Sequence, residues 1–457
     1  MASNQRVGIL PLPLLPSTWP PIINFSRLSG SRRAKCPKNP RILLRQTVDR
    51  RVFMLSSFRT MFKPCTSKAL LKCSHSLKIQ NTNYIFILFQ MFKLRIKLSN
   101  ALALKRMMST QESDVLFETL NNAGVITLNR PKALNSLNTS MVTKLLPQLQ
   151  EWENTKTCVI VKGAGDKAFC AGGDIKLAID KVEGPIFFHT EYNVNYLIGK
   201  YKIPYIAIIN GITMGGGLGL SVHGRYRVTT EKTLIAMPET KIGLFPDVGG
   251  SYFLPRLQVN LGLYLGLTGD RLKGKDVVKS GIATHFVPSS RLYELETLLS
   301  RCTNENEIQA LLTKFHEPAE EFSLAENIKH INYCFAAGSV EEIIERLQKV
   351  NNDWSNKTLK TLHSVCPGSL KITLRALQRG AQLELGQCLK MEYRVACRST
   401  ENHDFPEGVR ALLIDKDNNP KWKPATLAEV TDDYVEEFFK KLPEDRELKF
   451  FDFDSKL

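Results

Sequence analysis

The chain has 457 residues, of which 43% are hydrophobic and 23% charged, a balance that excludes a wholly disordered chain and allows a full-sized buried core. Its formal net charge of +17 would favour a nucleic-acid partner if that charge were spread over a folded body. However, residues 1–107 contain 20 Lys or Arg residues and a single acid, Asp49, whereas the rest of the chain contains 42 basic and 44 acidic residues. The excess positive charge therefore lies in the leader.

Residues 1–107 have the composition of a mitochondrial transit segment, since they are rich in Arg, Lys and Ser and nearly free of acids. The best basic amphipathic stretch begins at Met91, which makes Met91 an alternative functional start. The remainder of the leader lacks a periodic apolar pattern and is predicted to be disordered. The most apolar run of the leader, residues 84–92, is about half the length needed to cross a bilayer. We therefore predict the mitochondrial import machinery as a partner, location in the mitochondrial matrix, and no membrane span.

Beyond the leader, short runs rich in β-branched residues alternate with helical patterns. Buried strands are predicted at residues 125–128, 158–162 and 205–209. The clearest amphipathic helix covers residues 139–155, although Pro147 is expected to kink it. Such alternation predicts an α/β fold with parallel pairing. A dinucleotide-binding sheet is the competing interpretation, but no G-x-G-x-x-G opens a helix after the first strand.

The character of the sequence changes near residue 300. Strand-like runs become scarce, and helical spacing appears at residues 340–350 and 382–397. We predict a mostly helical C-terminal region, residues 301–457, which follows a core of residues 108–300 and is placed to cover the active site.

Two glycine clusters, at residues 163–174 and 210–219, each follow a predicted strand. Glycine lets the backbone approach a ligand closely, and a turn that enters a helix presents unpaired N–H groups. Two converging N–H groups would stabilise a thioester carbonyl oxygen as it gains negative charge. Alternatively, the glycines merely permit tight turns. A P-loop is disfavoured because neither cluster ends in Gly-Lys-Ser/Thr.

Two acids, Glu239 and Asp247, lie in an otherwise apolar, Gly-rich and Pro-rich segment at residues 237–250. An acid in such surroundings needs a partner or a shifted pKa, and either would suit a general base or a nucleophile. The alternative is that each is a surface acid or a helix cap. Because the Cys and His residues show no ligand spacing, we predict no metal site.

From about Val115 to the C-terminus the chain resembles the crotonase (enoyl-CoA hydratase/isomerase) superfamily. The motifs are Phe-Cys-Ala-Gly-Gly-Asp at 169–174, the Gly215-Gly216-Gly217 turn, and Pro238-Glu239 followed by Ile242-Gly243. The resemblance implies an α/β fold in which a crotonase-like spiral of β-β-α turns precedes C-terminal helices. In this superfamily those helices often pack against neighbouring subunits, which implies a homo-oligomer.

The resemblance also assigns roles to individual residues. It implies an oxyanion hole at Gly173 and Gly216, and catalytic roles for Glu239 and Asp247. The residues implied to contact the acyl substrate are Glu191, Gly216, Glu239 and Asp247. Those implied to contact coenzyme A are Ala133, Leu134 and Asn135. No cofactor is implied, since CoA is part of the substrate.

One departure from the family pattern bears on the reaction. Hydratases of this superfamily use two glutamates, and the position of the first is Gly219 in this chain, whereas Glu239 remains at the second. Asp247 stands where hydratases commonly carry a small residue. The resemblance therefore implies hydrolysis of the thioester of 3-hydroxyisobutyryl-CoA, or of 3-hydroxypropionyl-CoA, in valine catabolism, with Glu239 as nucleophile or general base.

Two other functions remain open at this stage. One is an enoyl-CoA hydratase or isomerase, which Gly219 disfavours. The other is a noncatalytic crotonase-like scaffold bound to RNA or to a mitochondrial ribosome. Its support is the basic leader alone, so we predict no nucleic-acid partner.

Overall fold

A computed structural model of the protein describes residues 113–318 and 321–451. The predicted leader, residues 1–107, and the alternative start at Met91 lie outside the described residues. The strands are β1 Val115–Leu120, β2 Ala123–Leu128, β3 Cys158–Gly163, β4 Ala168–Cys170, β5 Tyr205–Ile209, β6 Ile212–Met214, β7 Tyr226–Thr229, β8 Leu234–Ala236, β9 Leu272–Lys273 and β10 His285–Phe286.

The strands of the described residues form two sheets. The larger sheet has the order β1-β2-β3-β5-β7-β10 and is parallel except between β1 and β2. The smaller sheet has the order β4-β6-β8-β9 and is parallel except between β8 and β9. The successive pairs β3 and β4, β5 and β6, and β7 and β8 each place one strand in each sheet, with helices between the pairs. This arrangement is the predicted spiral of β-β-α turns.

Helices connect these pairs and make up the C-terminal region. The α-helices are α1 Thr139–Thr155, α2 Ile175–Ala178, α3 Glu183–Gly199, α4 Gly216–Gly219, α5 Gly250–Phe253, α6 Leu261–Thr268, α7 Asp276–Lys279, α8 Leu292–Leu299, α9 Glu305–Phe315, α10 Ile328–Phe335, α11 Val340–Val350, α12 Asp353–Ser364, α13 Pro367–Gly380, α14 Leu385–Glu401, α15 Asp404–Val409 and α16 Asp432–Phe439. Short 3-10 helices lie at Pro131–Ala133, Glu239–Ile242, Leu254–Arg256, Gln258–Asn260, Ser289–Arg291, Ala325–Asn327 and Leu427–Glu429, and a π-helix lies at Arg410–Ile414.

The predicted elements agree with these bounds. The three predicted strands correspond to β2, β3 and β5, and the predicted helix at 139–155 is α1. α1 begins after Asn138, whose side chain accepts a hydrogen bond from the N–H of Met141, and it continues through Pro147. Its apolar face is buried as its spacing predicts. The strands of the smaller sheet are too short for periodicity to detect.

One hydrophobic core joins the spiral to the C-terminal helices, since it includes side chains from Val115 to Leu448. A second core lies between the larger sheet and the helices α8 and α9. Within the described residues, no strand follows β10, in agreement with the predicted helical C-terminal region. α14 packs along α3, and the rings of Tyr192 and Tyr393 lie 6.3 Å apart across that contact. We find no helix among the described residues that has the length and apolar character of a transmembrane span.

Candidate active site

Three segments of the candidate site follow neighbouring strands of the smaller sheet. β4, β6 and β8 lie side by side and run parallel, so their carboxyl ends meet at one edge of that sheet. The first glycine cluster surrounds β4, the second surrounds β6, and Glu239 follows β8. The fold therefore brings together segments that lie far apart in the sequence.

Gly173 and Gly216, the predicted oxyanion hole, lie on two of these segments. Gly216 is the first residue of α4, so its N–H has no partner within that helix. Gly173 forms an isolated bridge with Leu137 through the N–H groups of Leu137 and Asp174, which leaves the Gly173 N–H outside the bridge. A Cβ atom placed on Gly216 would lie 3.4 Å from the Gly173 nitrogen. The two amides are therefore close enough to bind one carbonyl oxygen together.

The carboxyl group of Glu239 lies against the second glycine cluster. A Cβ atom placed on Gly215 would lie 2.6 Å from Oε1 of Glu239, and Gly215 has a φ of 45° that favours glycine. Glu239 is 6% exposed, and its Oε2 atom has no hydrogen-bond partner among the described residues. Burial, followed by the nearby charge of Asp247, raises the pKa of Glu239 well above its usual value. A perturbed carboxyl group of this kind is typical of catalytic positions.

Asp247 lies in the loop between the 3-10 helix Glu239–Ile242 and α5, and it is also buried. Its Oδ2 atom accepts a 2.8 Å hydrogen bond from the hydroxyl group of Tyr192 on α3. Burial raises the pKa of Asp247 to about 6, and the hydrogen bond from Tyr192 opposes that rise. A carboxyl group with a pKa near neutrality can both take up and release a proton during a reaction.

Glu191 on α3 is the third buried carboxyl group of the site. It is 2% exposed, and its Oε1 atom has no hydrogen-bond partner among the residues that the structure describes. A Cβ atom placed on Gly216 would lie 2.4 Å from this oxygen. Burial, together with the charges of Asp247 and Glu239, raises the pKa of Glu191 well above its usual value. The structure thus brings the three predicted acids into one electrostatically coupled group beside the glycine turn.

Position 219, where the family's hydratases carry their first glutamate, is closed by two neighbours. A Cβ atom placed on Gly219 would lie 2.7 Å from Cβ of Val248 and 2.9 Å from Nδ2 of Asn195. Val248 has a φ of 52°, which is rare for a β-branched residue. Its carbonyl oxygen accepts a 2.7 Å hydrogen bond from Nε2 of His223. The loop that carries Asp247 therefore occupies the space that a side chain at position 219 would need.

Glu392 on α14 is a buried acid that the sequence analysis did not single out. It is 0% exposed, and its Oε2 atom accepts a 2.7 Å hydrogen bond from the N–H of Gly249. Its Oε1 atom accepts hydrogen bonds from the N–H and the hydroxyl group of Ser251, at 2.8 and 2.5 Å. Burial raises the pKa of Glu392 to about 8, while these hydrogen bonds oppose the rise. Glu392 thus holds the backbone just after Asp247 in place. The one feature of the sequence that could have indicated a buried Glu392 is its position on the apolar face of α14.

The segment predicted to contact CoA folds against the first glycine cluster. Asn135 is buried, and its Oδ1 atom accepts a 2.9 Å hydrogen bond from the N–H of Arg130. Its Nδ2 atom donates to the carbonyl oxygens of Ala164, at 3.0 Å, and of the first residue of β4, at 2.9 Å. Ala133 and Leu134 are half-buried. The Asn135 side chain therefore shapes this segment, while Ala133 and Leu134 keep surface for a ligand.

No metal site is found in residues 113–318 and 321–451, since no group of three or more His, Cys, Asp or Glu side chains there could hold an ion. The Cys residues of these ranges are all buried free thiols. The predicted absence of a cofactor stays a prediction.

Known proteins are similar in sequence to most of this chain. Residues 123–439 match the family model described as enoyl-CoA hydratase/isomerase. The chain is 51% identical over 357 residues to a protein of Danio rerio named 3-hydroxyisobutyryl-CoA hydrolase, mitochondrial, covering 75% of this chain and 93% of the relative. It is 50% identical over 351 residues to the human protein of the same name, covering 74% of this chain and 91% of the relative.

A solved structure shares the same fold. The crystal structure of a carnitinyl-CoA dehydratase from Mycobacterium thermoresistibile superposes with a TM-score of 0.70 and 38% sequence identity, covering 76% of this chain and 100% of that chain. One conclusion follows from the paired sheets, the order of the motifs along them and these similarities. The chain belongs to the enoyl-CoA hydratase/isomerase, or crotonase, family.

Proposed function

We propose that this chain is a 3-hydroxyisobutyryl-CoA hydrolase, which converts that thioester to free 3-hydroxyisobutyrate and CoA as a step of valine catabolism. The identity of about 50% to hydrolases of that name supports the substrate. The observation that carries the chemistry is the burial of the Glu239 carboxyl group against the glycine turn, where the charge of Asp247 helps to raise its pKa, together with the closure of position 219 by Val248.

Two routes fit this geometry. In the first, the Glu239 carboxylate attacks the thioester carbonyl carbon, the C–S bond breaks, and water hydrolyses the resulting anhydride to restore the carboxylate. In the second, Glu239 removes a proton from water, and the water oxygen attacks the same carbon as the C–S bond breaks. In both routes the amides of Gly173 and Gly216 bind the developing oxyanion, and losing one such donor typically costs about 10² to 10³ in rate.

Asp247 completes the proton balance of either route. The departing CoA thiolate needs a proton, and a carboxyl group with a pKa of about 6 can supply it and be restored from solvent. The hydrogen bond from Tyr192 holds Asp247 in one orientation. Glu191 approaches the same glycine turn, which supports the role in contacting the acyl group that we propose for it.

Hydration of an enoyl-CoA is the second candidate, because the structural neighbour is a dehydratase. That reaction has less support, since its first glutamate is replaced by Gly219 and the space beside Gly219 is filled. A noncatalytic scaffold leaves the buried, partnerless Oε2 atom of Glu239 without an explanation. 3-Hydroxypropionyl-CoA is a further substrate, since loss of one methyl group in an apolar pocket costs about 1 to 3 kcal/mol.

We further propose that the enzyme acts in the mitochondrial matrix after import through its leader, and that it forms a homo-oligomer. Two observations support a mitochondrial location. The names of the relatives contain the word mitochondrial, and residues 1–107 have a basic composition.

A thiol-release assay on the purified protein tests the proposed function. We expect free CoA from 3-hydroxyisobutyryl-CoA, more slowly from 3-hydroxypropionyl-CoA, and no loss of enoyl absorbance from crotonyl-CoA. Loss of that absorbance without thiol release would favour the hydratase instead. A single turnover of stoichiometric enzyme in oxygen-18 water separates the two routes. If Glu239 attacks first and water then attacks the Glu239 carboxyl carbon of the anhydride, the product carries unlabelled enzyme oxygen and the label enters Glu239. Direct attack of water on the thioester places the label in the product alone.

A further inference from the structure

Helix α3 places two polar side chains beside the two ends of the short helix α4. Glu191 approaches Gly216, the first residue of α4, and Asn195, one helical turn later, approaches Gly219, the last residue. A Cβ atom placed on Gly219 would lie 2.9 Å from Nδ2 of Asn195. The amide of Asn195 therefore lies one helical turn along α3 from Glu191, beside the last residue of the helix whose first residue belongs to the predicted oxyanion hole.

Asn195 is fully buried, yet neither Nδ2 nor Oδ1 has a hydrogen-bond partner in the described part of the chain. Burying an amide without a partner destabilises the folded state, so such groups are rare unless a ligand or water supplies the bond. Asn193, two residues earlier on the same helix, is equally buried but is bonded. Its Nδ2 atom donates to the carbonyl oxygens of His189, at 2.9 Å, and of Lys449, at 3.4 Å, and its Oδ1 atom accepts from the N–H of Phe451 at 2.9 Å.

The position of Asn195 relative to the oxyanion hole suits one part of the substrate. α4 rises about 4.5 Å from Gly216 to Gly219. This rise is comparable to the length of a three-carbon acyl unit whose carbonyl oxygen is held at Gly216. The group on the third carbon, which is a hydroxyl group in the proposed substrate, would then lie one helical turn along α4 and within reach of the Asn195 amide, at the edge of the space that Val248 and Asn195 fill beside Gly219. A hydroxyl group can accept from Nδ2 of Asn195 and donate its own proton to a neighbouring carboxylate.

We propose that Asn195 is the residue that recognises the 3-hydroxyl group of the acyl-CoA, with Nδ2 donating a hydrogen bond to the hydroxyl oxygen. This inference rests on the proposed function. It makes Asn195 a specificity-determining residue, since a site built to bond a hydroxyl group discriminates strongly against the analogue that lacks it.

Two variants and two esters test the proposal. Asn195→Leu removes the amide but keeps the number of side-chain heavy atoms, and Asn193→Leu is the matched control on the same helix. The esters are 3-hydroxyisobutyryl-CoA and isobutyryl-CoA, which differ by the hydroxyl group. We expect Asn195→Leu to lower kcat/KM for the hydroxylated ester by about 10- to 100-fold and for isobutyryl-CoA by less than about 3-fold. Where isobutyryl-CoA turnover is too slow, the Kd values of both esters on a Glu239→Gln background give the same comparison.

Thermal unfolding separates recognition from a structural role. Asn195→Leu is expected to keep or raise Tm, because it removes an unpaired buried amide, whereas Asn193→Leu lowers Tm because it breaks three hydrogen bonds. If Asn195→Leu does not fold, Asn195→Ala is measured in the same way. An unchanged preference for the hydroxylated ester, or a fall in Tm like that of Asn193→Leu, would overturn the proposal. If the unsubstituted protein releases CoA from neither ester, the proposed function itself is wrong.

Discussion

The hydroxyl group of Tyr192 donates a 2.8 Å hydrogen bond to the carboxyl group of Asp247, and both side chains are buried. The two residues come from different parts of the fold, α3 and the loop before α5. Their bond stabilises the ionised form of Asp247, whereas burial stabilises the neutral form and raises its pKa to about 6. The balance between these two effects sets the protonation of Asp247 near neutral pH.

Tyr192→Phe is expected to shift the pH dependence of the reaction. Removing the hydrogen bond raises the pKa of Asp247, and Asp247 acts in its protonated form as the proton donor, so the alkaline limb of kcat/KM that reports this group moves to higher pH. We expect a shift of about half a unit to one unit and a loss of roughly 10-fold in kcat. Tyr196→Phe, on the next turn of α3, is the control and should leave the limb in place. If Tyr192→Phe leaves the pH dependence of kcat/KM unchanged, then Asp247 does not control that pH dependence.

Glu239→Gln is expected to abolish turnover and retain binding. The neutral amide can neither attack the thioester nor remove a proton from water, so we expect thiol release to fall by at least about 10³-fold. The Kd of 3-hydroxyisobutyryl-CoA, measured by calorimetry, should change by less than about 5-fold. Release of CoA at the normal rate would refute the assignment of Glu239.

Glu239→Gln should also stabilise the protein, and increasingly so as the pH rises. The pKa of Glu239 is raised in the folded state, so its contribution to stability is full below the unfolded value of 4.5 and is lost as the pH rises through the folded value. Glutamine does not titrate and avoids this loss. We expect Tm of the variant to exceed that of the unsubstituted protein by roughly 2 °C or more at about pH 8, and by less at acid pH. Thermal scans across pH, with the exposed Glu401→Gln as control, check this difference, and a pH-independent difference would count against it.

Glu392→Ala is expected to lower both stability and kcat, although Glu392 is not one of the proposed catalytic residues. It removes the acceptor for Gly249 and Ser251 and leaves their N–H groups unpaired in the interior. We expect a loss of about 3 to 5 kcal/mol in the free energy of unfolding and a fall of about 10²-fold in kcat, with a smaller change in KM. Glu401→Ala, which breaks an exposed ion pair to Arg446 on the same helix, should cost less than about 1 kcal/mol. Equal losses in urea unfolding and in kcat for the two variants would contradict this role.

Gly219→Ala is expected to displace the Asp247 loop. The added Cβ atom would lie 2.7 Å from Cβ of Val248, closer than side-chain atoms approach. Such overpacking costs about 1 to 3 kcal/mol, and we expect activity to fall with it. Gly338→Ala, whose Cβ atom would meet its nearest atom at 3.8 Å, is the control for denaturant unfolding. A stable and fully active Gly219→Ala variant would show that position 219 is not closed.

Much of the fold could be predicted because its signals are local. The strands β2, β3 and β5 are runs of β-branched residues, and α1 has one clear apolar face, so each is detectable in a short window. β4, β6 and β8 have three residues each and carry no periodicity of their own. Their pairing into a second sheet depends on the tertiary fold. The motifs that follow them, rather than the strands, revealed the site.

The candidate acids were found because they lie in unusual sequence surroundings or match a family motif. Glu392 and Asn195 lack both signals and look like ordinary polar residues of amphipathic helices. Glu392 and Asn195 are distinguished by their tertiary contacts, since Glu392 accepts a hydrogen bond from Gly249 and Asn195 approaches Gly219. These contacts depend on how α14 and α3 pack, which local sequence patterns do not encode.

The single core that contains both Val115 and Leu448 has a consequence for engineering. A fragment cut near residue 300 would expose the apolar face of the spiral and lose Glu392, so it is not a minimal catalytic unit. Substrate specificity is therefore better changed by substitutions at individual positions of α3 and the Asp247 loop, in a protein that retains its C-terminal helices.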